Sequence, residues 1–288
     1  MLKLTYPLPH QVIQRDARNE AAVDIRGCCD TSADRIEVRF VPFGDNPEFG
    51  ETTPWHRVAP WFDAFSTVMT VKAGWYRIEV QQYRGEELLD HLFLHPFGVG
   101  EVFALFGHSL VQGGELGAPG ASDLRVSCLV QDANPPTAET VPLEFGPLKS
   151  GSGFGPFHGA PYAWGLLGDR LVKRLKVPVL FYGCGFGGTN IEHNYKTIRR
   201  IPFEHGFCRF NQGMPFRPLG LVLQRFVPET GIRAILCQHG INDSGLNDRA
   251  AEFRDMFHFV IDYTRATFTL PDLAWVLTRE SKPGTPFE

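Results

Sequence analysis

The segment at residues 101–110, EVFALFGHSL, constrains the fold of this chain more than any other. Its apolar run at residues 102–106 is typical of a strand buried in a parallel sheet. Gly107 lets the chain turn sharply after that strand, and Ser109 follows two residues later. Ligands of open α/β sheets bind at the carboxyl ends of the strands. Ser109 is therefore a candidate nucleophile, although a serine here also fits a cap of the next helix or turn.

Two later apolar runs, residues 177–182 and 232–237, end in glycine-bearing turns of the same kind. The first turn contains Gly187 and the second contains Asn242. Parallel strands bring their carboxyl ends to one rim of a sheet, so both turns are expected beside Ser109. This arrangement suits acyl transfer. Ser109 attacks a carbonyl, while its own N–H, a backbone N–H near Gly187 and the Asn242 amide stabilise the oxyanion.

Taken one at a time, these turns also have purely structural explanations. Gly187-Gly188-Thr189 fits a simple tight turn, and it lacks the Gly-Lys-Ser/Thr sequence of a phosphate-binding Walker loop. His239 at a strand end fits a hydrogen-bonded structural histidine, and Asn242-Asp243 fits a helix cap. Three such turns in order after three strands favour a catalytic rim.

The three turns resemble blocks I, II and III of the SGNH (GDSL-type) hydrolases. The matching stretches are Gly107-His108-Ser109, Gly187 in its Gly-Gly-Thr turn, and Gly240-Ile241-Asn242-Asp243. The nearer branch is that of the carbohydrate esterases similar to sialate O-acetylesterase, which also resemble this chain at Gly100-Glu101-Val102 and His239-Gly240. The resemblance spans roughly residues 99–280, and block III is its most specific part.

The resemblance implies both a fold and a reaction. The fold class is α/β, a flavodoxin-like SGNH parallel sheet with helices on both faces. The reaction is the removal of O-acetyl groups from a carbohydrate, without a metal or other cofactor. Ser109 is the implied nucleophile, and Gly187 and Asn242 complete the implied oxyanion hole. The implied substrate-binding residues are Gly188, Thr189 and His239.

The chain departs from that family at three places. The branch usually has Gly-Gln-Ser-Asn around the serine, where this chain has His108 and Leu110, and it usually has an acidic residue where Ile241 stands. The family also has a catalytic Asp-x-x-His near its C-terminus, whereas no histidine follows His258 here. We therefore expect a C-terminally incomplete hydrolase domain, or a variant without its general base, and hydrolysis by these 288 residues that is weak or absent.

Two other functions compete with this interpretation. The nucleophile elbow of the α/β-hydrolases, Gly-x-Ser-x-Gly, also resembles the segment around Ser109, but Val111 replaces its second glycine. A non-catalytic glycan-binding protein with an SGNH-like domain is the alternative from another class. The missing Asp-x-x-His favours it, and the presence of Ser109, Gly187 and Asn242 argues against it.

The first hundred residues predict a separate β domain. Apolar and polar residues alternate at residues 22–26, 35–41, 65–71 and 75–80, with turn residues between them. This pattern is typical of an antiparallel sandwich with one polar face. We place a β-sandwich accessory domain at residues 1–98 and the SGNH hydrolase domain at residues 99–288.

Charge and composition limit the partners. A net charge of −4 gives no indication of nucleic acid or an anionic membrane as partner. The N-terminus lacks the apolar core of a signal peptide, which predicts a cytoplasmic protein or one whose leader is removed. Oligomeric state is not predicted. Glu192-His193 and Glu204-His205 lack the spacing of a helical zinc site, and we interpret them as surface residues that line the cleft after block II.

Overall fold

A computed structural model of the chain describes residues 1–44, 47–113, 119–131, 141–151, 153–157, 159–243 and 249–279. Short turns of 3-10 helix lie at Pro47–Phe49 and Phe210–Gln212. The strands are β1 (Lys3–Tyr6), β2 (Val12–Gln14), β3 (Glu20–Cys28), β4 (Arg35–Pro42), β5 (His56–Val58), β6 (Ala64–Lys72), β7 (Gly74–Arg84), β8 (Glu87–Gly107), β9 (Val126–Leu129), β10 (Phe145–Pro147), β11 (Val179–Gly185), β12 (Ala234–Gln238) and β13 (Ala274–Leu277). The α-helices are α1 (Ser109–Gln112), α2 (Tyr162–Leu175), α3 (Ile191–Arg199), α4 (Arg217–Leu221), α5 (Val227–Thr230) and α6 (Ala250–Thr267).

The N-terminal part is built from antiparallel strands, as the alternating pattern predicts. Strands β1, β3 and β6 form one sheet, and β5, β4, β7 and the first part of β8 form the antiparallel end of a larger sheet. Buried side chains of both sheets, such as Val23 and Ile25 on β3 and Ile36 and Ile78 on β4 and β7, share one apolar cluster. That these two sheets form a β-sandwich stays a prediction.

Strand β8 joins this antiparallel region to the parallel one. It is 21 residues long. Its first part pairs with β7, and residues Glu101–Gly107 pair in parallel with β11. The predicted boundary between residues 98 and 99 lies inside this strand, so the division into two domains stays a prediction.

The parallel strands lie in the order β9-β11-β8-β12-β13. The predicted parallel alignment of the strands ending near Phe106, Tyr182 and Cys237 is therefore confirmed. Alternate residues of β8 face opposite apolar clusters, one containing α6 side chains and the other containing α2 side chains. The sheet thus has helices on both faces, and the carboxyl ends of β8, β11 and β12 share one rim.

The helical segment that starts at Arg217 is irregular. Helix α4 continues through a π-helical turn at Val222–Phe226 into α5, which contains Pro228. Proline has no N–H to donate, and the wider turn just before it places the Val227 N–H on the Val222 carbonyl. In the part of the chain that the structure describes, no helix is long and apolar enough to cross a membrane.

A buried ion cluster holds the N-terminal segment against the first strand of the parallel region. The carboxylate of Glu101 accepts hydrogen bonds from Arg15 Nε at 2.8 Å, Arg233 Nε at 2.6 Å and Gln14 Nε2 at 2.9 Å. Burial of Glu101 opposes its ionisation, but these three donors outweigh burial and hold the pKa of the carboxyl below its usual range. Glu101, part of the family resemblance, thus fixes strand positions below the site.

Candidate active site

Ser109 lies at the start of α1, directly after β8, and its side chain is exposed. The N-cap of this helix is His108, whose Nδ1 accepts the Leu110 N–H at 3.3 Å. The alternative that Ser109 is itself the helix cap is therefore wrong. Gly107 is required at the preceding turn, because a Cβ there would collide with the Gln238 carbonyl of the neighbouring strand.

The block II turn lies against Ser109. A Cβ placed on Gly187 would lie 3.4 Å from the Ser109 Cβ, so the two backbones approach closely. The Gly187 N–H, predicted to stabilise an oxyanion, donates to Gln112 Oε1 at 2.9 Å. Gly188 adopts a left-handed φ of 72°, and its carbonyl accepts a hydrogen bond from His205 Nε2 at 3.1 Å.

Asn242 connects the block III turn to the block II turn. Its Nδ2 donates to the Thr189 carbonyl at 3.0 Å, and the rest of its side chain is exposed. The amide carries a second N–H. The Thr189 side chain is fully buried, and its hydroxyl donates to the Phe186 carbonyl at 2.6 Å. The predicted role of Thr189 in substrate binding is therefore corrected: its hydroxyl braces the turn and presents no surface to a ligand.

His239 lies beneath the rim. Its side chain is 0% exposed, its ring packs edge-on against Phe106, and its Nε2 is 3.3 Å from Asn194 Nδ2. Burial, together with the neighbouring His108 and His193, lowers the pKa of His239 to about 3, so the ring is neutral at pH 7. A fully buried ring cannot contact substrate, which corrects the predicted substrate-binding role of His239; it packs beneath the turn.

Asp243 connects the same turn to α3. Its Oδ1 accepts the Ile191 N–H at 2.9 Å, and its own N–H donates to the Gly240 carbonyl at 2.8 Å. The helix cap expected in Asn242-Asp243 is therefore present at Asp243. The helix that it caps is α3, which precedes it in the chain, and not α6, which follows it. Asn190 caps α3 as well, through a reciprocal pair of hydrogen bonds with His193.

Sequence reasoning missed Gln112 and assigned no contact to His205. Gln112 is three residues after Ser109, and on a helix this spacing brings both side chains to one face. That spacing was the available signal for Gln112. His205 lies in a loop with no regular period, and the contact with Gly188 depends on the path of that loop.

Among the residues that the structure describes, no side chain hydrogen-bonds the Ser109 hydroxyl. The His108 ring accepts the Leu110 N–H and packs against His239. His158, one of the histidines of the catalytic region, lies outside the described residues. Across the described ranges no group of three His, Cys, Asp or Glu side chains is arranged to hold a metal ion.

Comparison with known proteins identifies solved structures with a similar fold. No family model and no curated protein matches this chain. A solved structure of a carbohydrate acetylesterase from Xanthomonas citri matches 96% of this chain with a TM-score of 0.50 and 16% identity. The chain has the fold of that carbohydrate esterase. It spans 60% of the length of that structure. A structure of a protein from Arabidopsis thaliana is also similar, with a TM-score of 0.41 and 17% identity over 64% of this chain and 75% of its own.

Proposed function

We propose that this chain is a serine esterase of the SGNH type, which removes O-acetyl groups from a carbohydrate through an acyl-enzyme on Ser109. One observation carries the proposal: exposed Ser109 lies against Gly187, while Asn242 is bonded to the same turn. The parallel strand order around β8 and the fold shared with a carbohydrate acetylesterase support it.

Each donor has a defined role in the proposed reaction. Ser109 Oγ attacks the acetyl carbonyl, and the carbonyl oxygen becomes an oxyanion. The bond to the sugar oxygen then breaks, that oxygen takes up the proton lost by Ser109, and water releases acetate from Ser109. The Ser109 N–H has no acceptor among the described residues and is free to donate to the oxyanion. The second N–H of Asn242 and the Gly187 N–H complete the set, with Gly188 extending the backbone edge beside the substrate. A donor of this kind typically contributes 10²- to 10³-fold in turnover.

Gln112 sets a requirement on this mechanism. Its Oε1 accepts the Gly187 N–H, and the N–O distance of 2.9 Å is the one expected between this donor and an oxyanion. Substrate binding must therefore displace the Gln112 amide before Gly187 can donate. The Ser109 proton must also pass to a base, because a serine hydroxyl is a weak nucleophile at neutral pH.

A non-catalytic glycan-binding protein is the second candidate. It is favoured by the occupied Gly187 N–H and by the lack of a base on Ser109 among the described residues. Both candidates predict binding of an acetylated sugar. They differ in acetate release, which only the esterase produces.

Acetate release with and without imidazole tests the esterase. Free imidazole accepts the proton that a missing histidine would take, so we expect it to raise a low rate of release from an O-acetylated methyl glycoside. Subtracting the rate of Ser109→Ala removes the reaction of imidazole with the ester. Sugar binding without any Ser109-dependent acetate, in either condition, would establish the glycan-binding alternative.

A further inference from the structure

A cavity of about 650 Å³ opens beside the block II turn. We call it the 203–211 pocket, and the residues of its wall used here are Phe203, Glu204, His205, Arg209, Phe210 and Asn211. It contains Glu204-His205, which the sequence predicts as surface residues that line the cleft after block II. A cavity of this size is within the range of small-molecule sites.

His205 connects the pocket to the catalytic rim. Its Nδ1 accepts the Cys208 N–H at 3.1 Å, and its Nε2 donates to the Gly188 carbonyl at 3.1 Å. Both ring nitrogens are therefore engaged, and the imidazole fixes the loop against the turn that contacts Ser109. Phe207 covers Gly188 from the same side, since a Cβ on that glycine would lie 2.5 Å from Phe207 Cζ. The loop that forms the pocket is thus bonded to the turn whose Gly187 lies against Ser109.

The apolar part of the wall consists of aromatic rings. Phe203 and Phe210 are half-buried and pack at 5.6 Å between ring centroids, and Phe203 also packs on His193 at 4.9 Å. These contacts fix the rings in place, so a ligand need not order them. The faces of aromatic rings carry partial negative charge and attract polarised C–H groups, such as those on the face of a pyranose.

The polar part of the wall is unpaired and balanced in charge. Within the described ranges, no side chain pairs with the carboxylate of Glu204, the guanidinium of Arg209 or the amide of Asn211. Together they offer acceptors and donors that suit the hydroxyl groups of a sugar. One negative and one positive side chain favour neither an anionic nor a cationic ligand. The Cys208 thiol adds no charge, because burial raises its pKa to about 11.

We propose that the 203–211 pocket binds the uncharged pyranose ring whose acetyl group Ser109 removes. The inference rests on the proposed esterase function and narrows it, because the sialic acid of the nearer branch carries a carboxylate. An uncharged ring stacks on Phe210 while its hydroxyls bond to Glu204, Arg209 and Asn211. A sugar carboxylate gains no net attraction there, because the Glu204 carboxylate offsets the Arg209 guanidinium.

Kinetics with two esters separate this role from a merely structural one. The esters are an O-acetylated methyl glucopyranoside and ethyl acetate, which lacks a sugar, and the readout is the ratio of their kcat/KM values. Phe210→Ala and Glu204→Gln are each expected to lower that ratio about 3- to 10-fold, through a higher KM for the sugar ester. Phe93→Ala, an exposed phenylalanine on β8, is the matched control and leaves the ratio unchanged. An unchanged ratio in both pocket variants would overturn the proposal.

Binding to Ser109→Ala protein keeps the inference testable without catalysis. Titration followed by NMR is expected to show tighter binding of the acetylated glucopyranoside than of O-acetylated sialic acid, and loss of that binding in the added Phe210→Ala variant. Tighter binding of the sialic acid would overturn the inference and leave the esterase proposal intact. Absent acetate release with retained glucopyranoside binding would overturn the esterase alone.

Discussion

Ser109→Ala is expected to lower kcat/KM for an acetylated sugar by at least about 10³-fold. Removing the serine of a serine hydrolase costs on the order of a million-fold when its base is in place. We expect the smaller factor here because the described residues place no base on Ser109. Initial rates of acetate release in the presence of imidazole provide the measurement.

Ser66→Ala is the matched control for that experiment. Ser66 is exposed on β6, in the antiparallel region, and its loss is expected to leave turnover unchanged. Equal turnover by Ser109→Ala and the unsubstituted protein would show that Ser109 is not the nucleophile, since the oxyanion donors alone form no acyl-enzyme.

Glu101→Ala is expected to lower the free energy of unfolding by about 3 kcal/mol. The substitution removes the shared acceptor of Arg15, Arg233 and Gln14, and leaves two cations close together at the base of the parallel sheet. Breaking a buried ion pair by removing one partner costs about 3–5 kcal/mol, and partial exposure of the arginines favours the lower end. Urea unfolding monitored by circular dichroism gives the value.

The contribution of Glu101 also predicts a pH dependence. Because its folded pKa is depressed, its stabilisation is fully present above the unfolded pKa of about 4.3 and is lost as pH falls through the folded pKa. The difference in free energy of unfolding between the unsubstituted protein and Glu101→Ala should therefore be constant near neutral pH and shrink in acid. Glu86→Ala, with a side chain that is 99% exposed, is the control and should change stability by less than about 0.5 kcal/mol. A Glu101→Ala protein as stable as that control would contradict the stabilising role of the buried ion cluster around Glu101.

The parallel sheet was predictable because its strands have a local signal. Apolar runs of five or six residues followed by glycine reveal β8, β11 and β12, and their burial on both faces explains the lack of alternation. Strands β1, β2 and β9 were missed, since three or four residues carry too little period to identify a strand. The passage of β8 through residue 98 was also hidden, because Pro96 and Gly98 resemble a turn in sequence.

The site was predictable only in part. Turns after parallel strands place Ser109, Gly187 and Asn242 at one rim, and the structure brings Ser109 to Gly187 and Asn242 to Thr189. Burial could not be predicted for His239, because a polar residue at a strand end faces either the ligand or the core. The hydrogen bond from Gly187 to Gln112 depends on a side-chain rotamer, which sequence does not determine.

Trapping an acetyl group on Ser109 tests the central claim most directly. The 288-residue chain is mixed with an O-acetylated methyl glycoside in the presence of imidazole, and the reaction is quenched in acid during turnover. The protein is then digested, and the mass of the peptide containing Ser109 is measured by mass spectrometry. The account predicts one added acetyl group on that peptide, located at Ser109 and absent from the Ser109→Ala protein. Acetate release with no acetylated Ser109 peptide, or with acetylation at another residue, would contradict it.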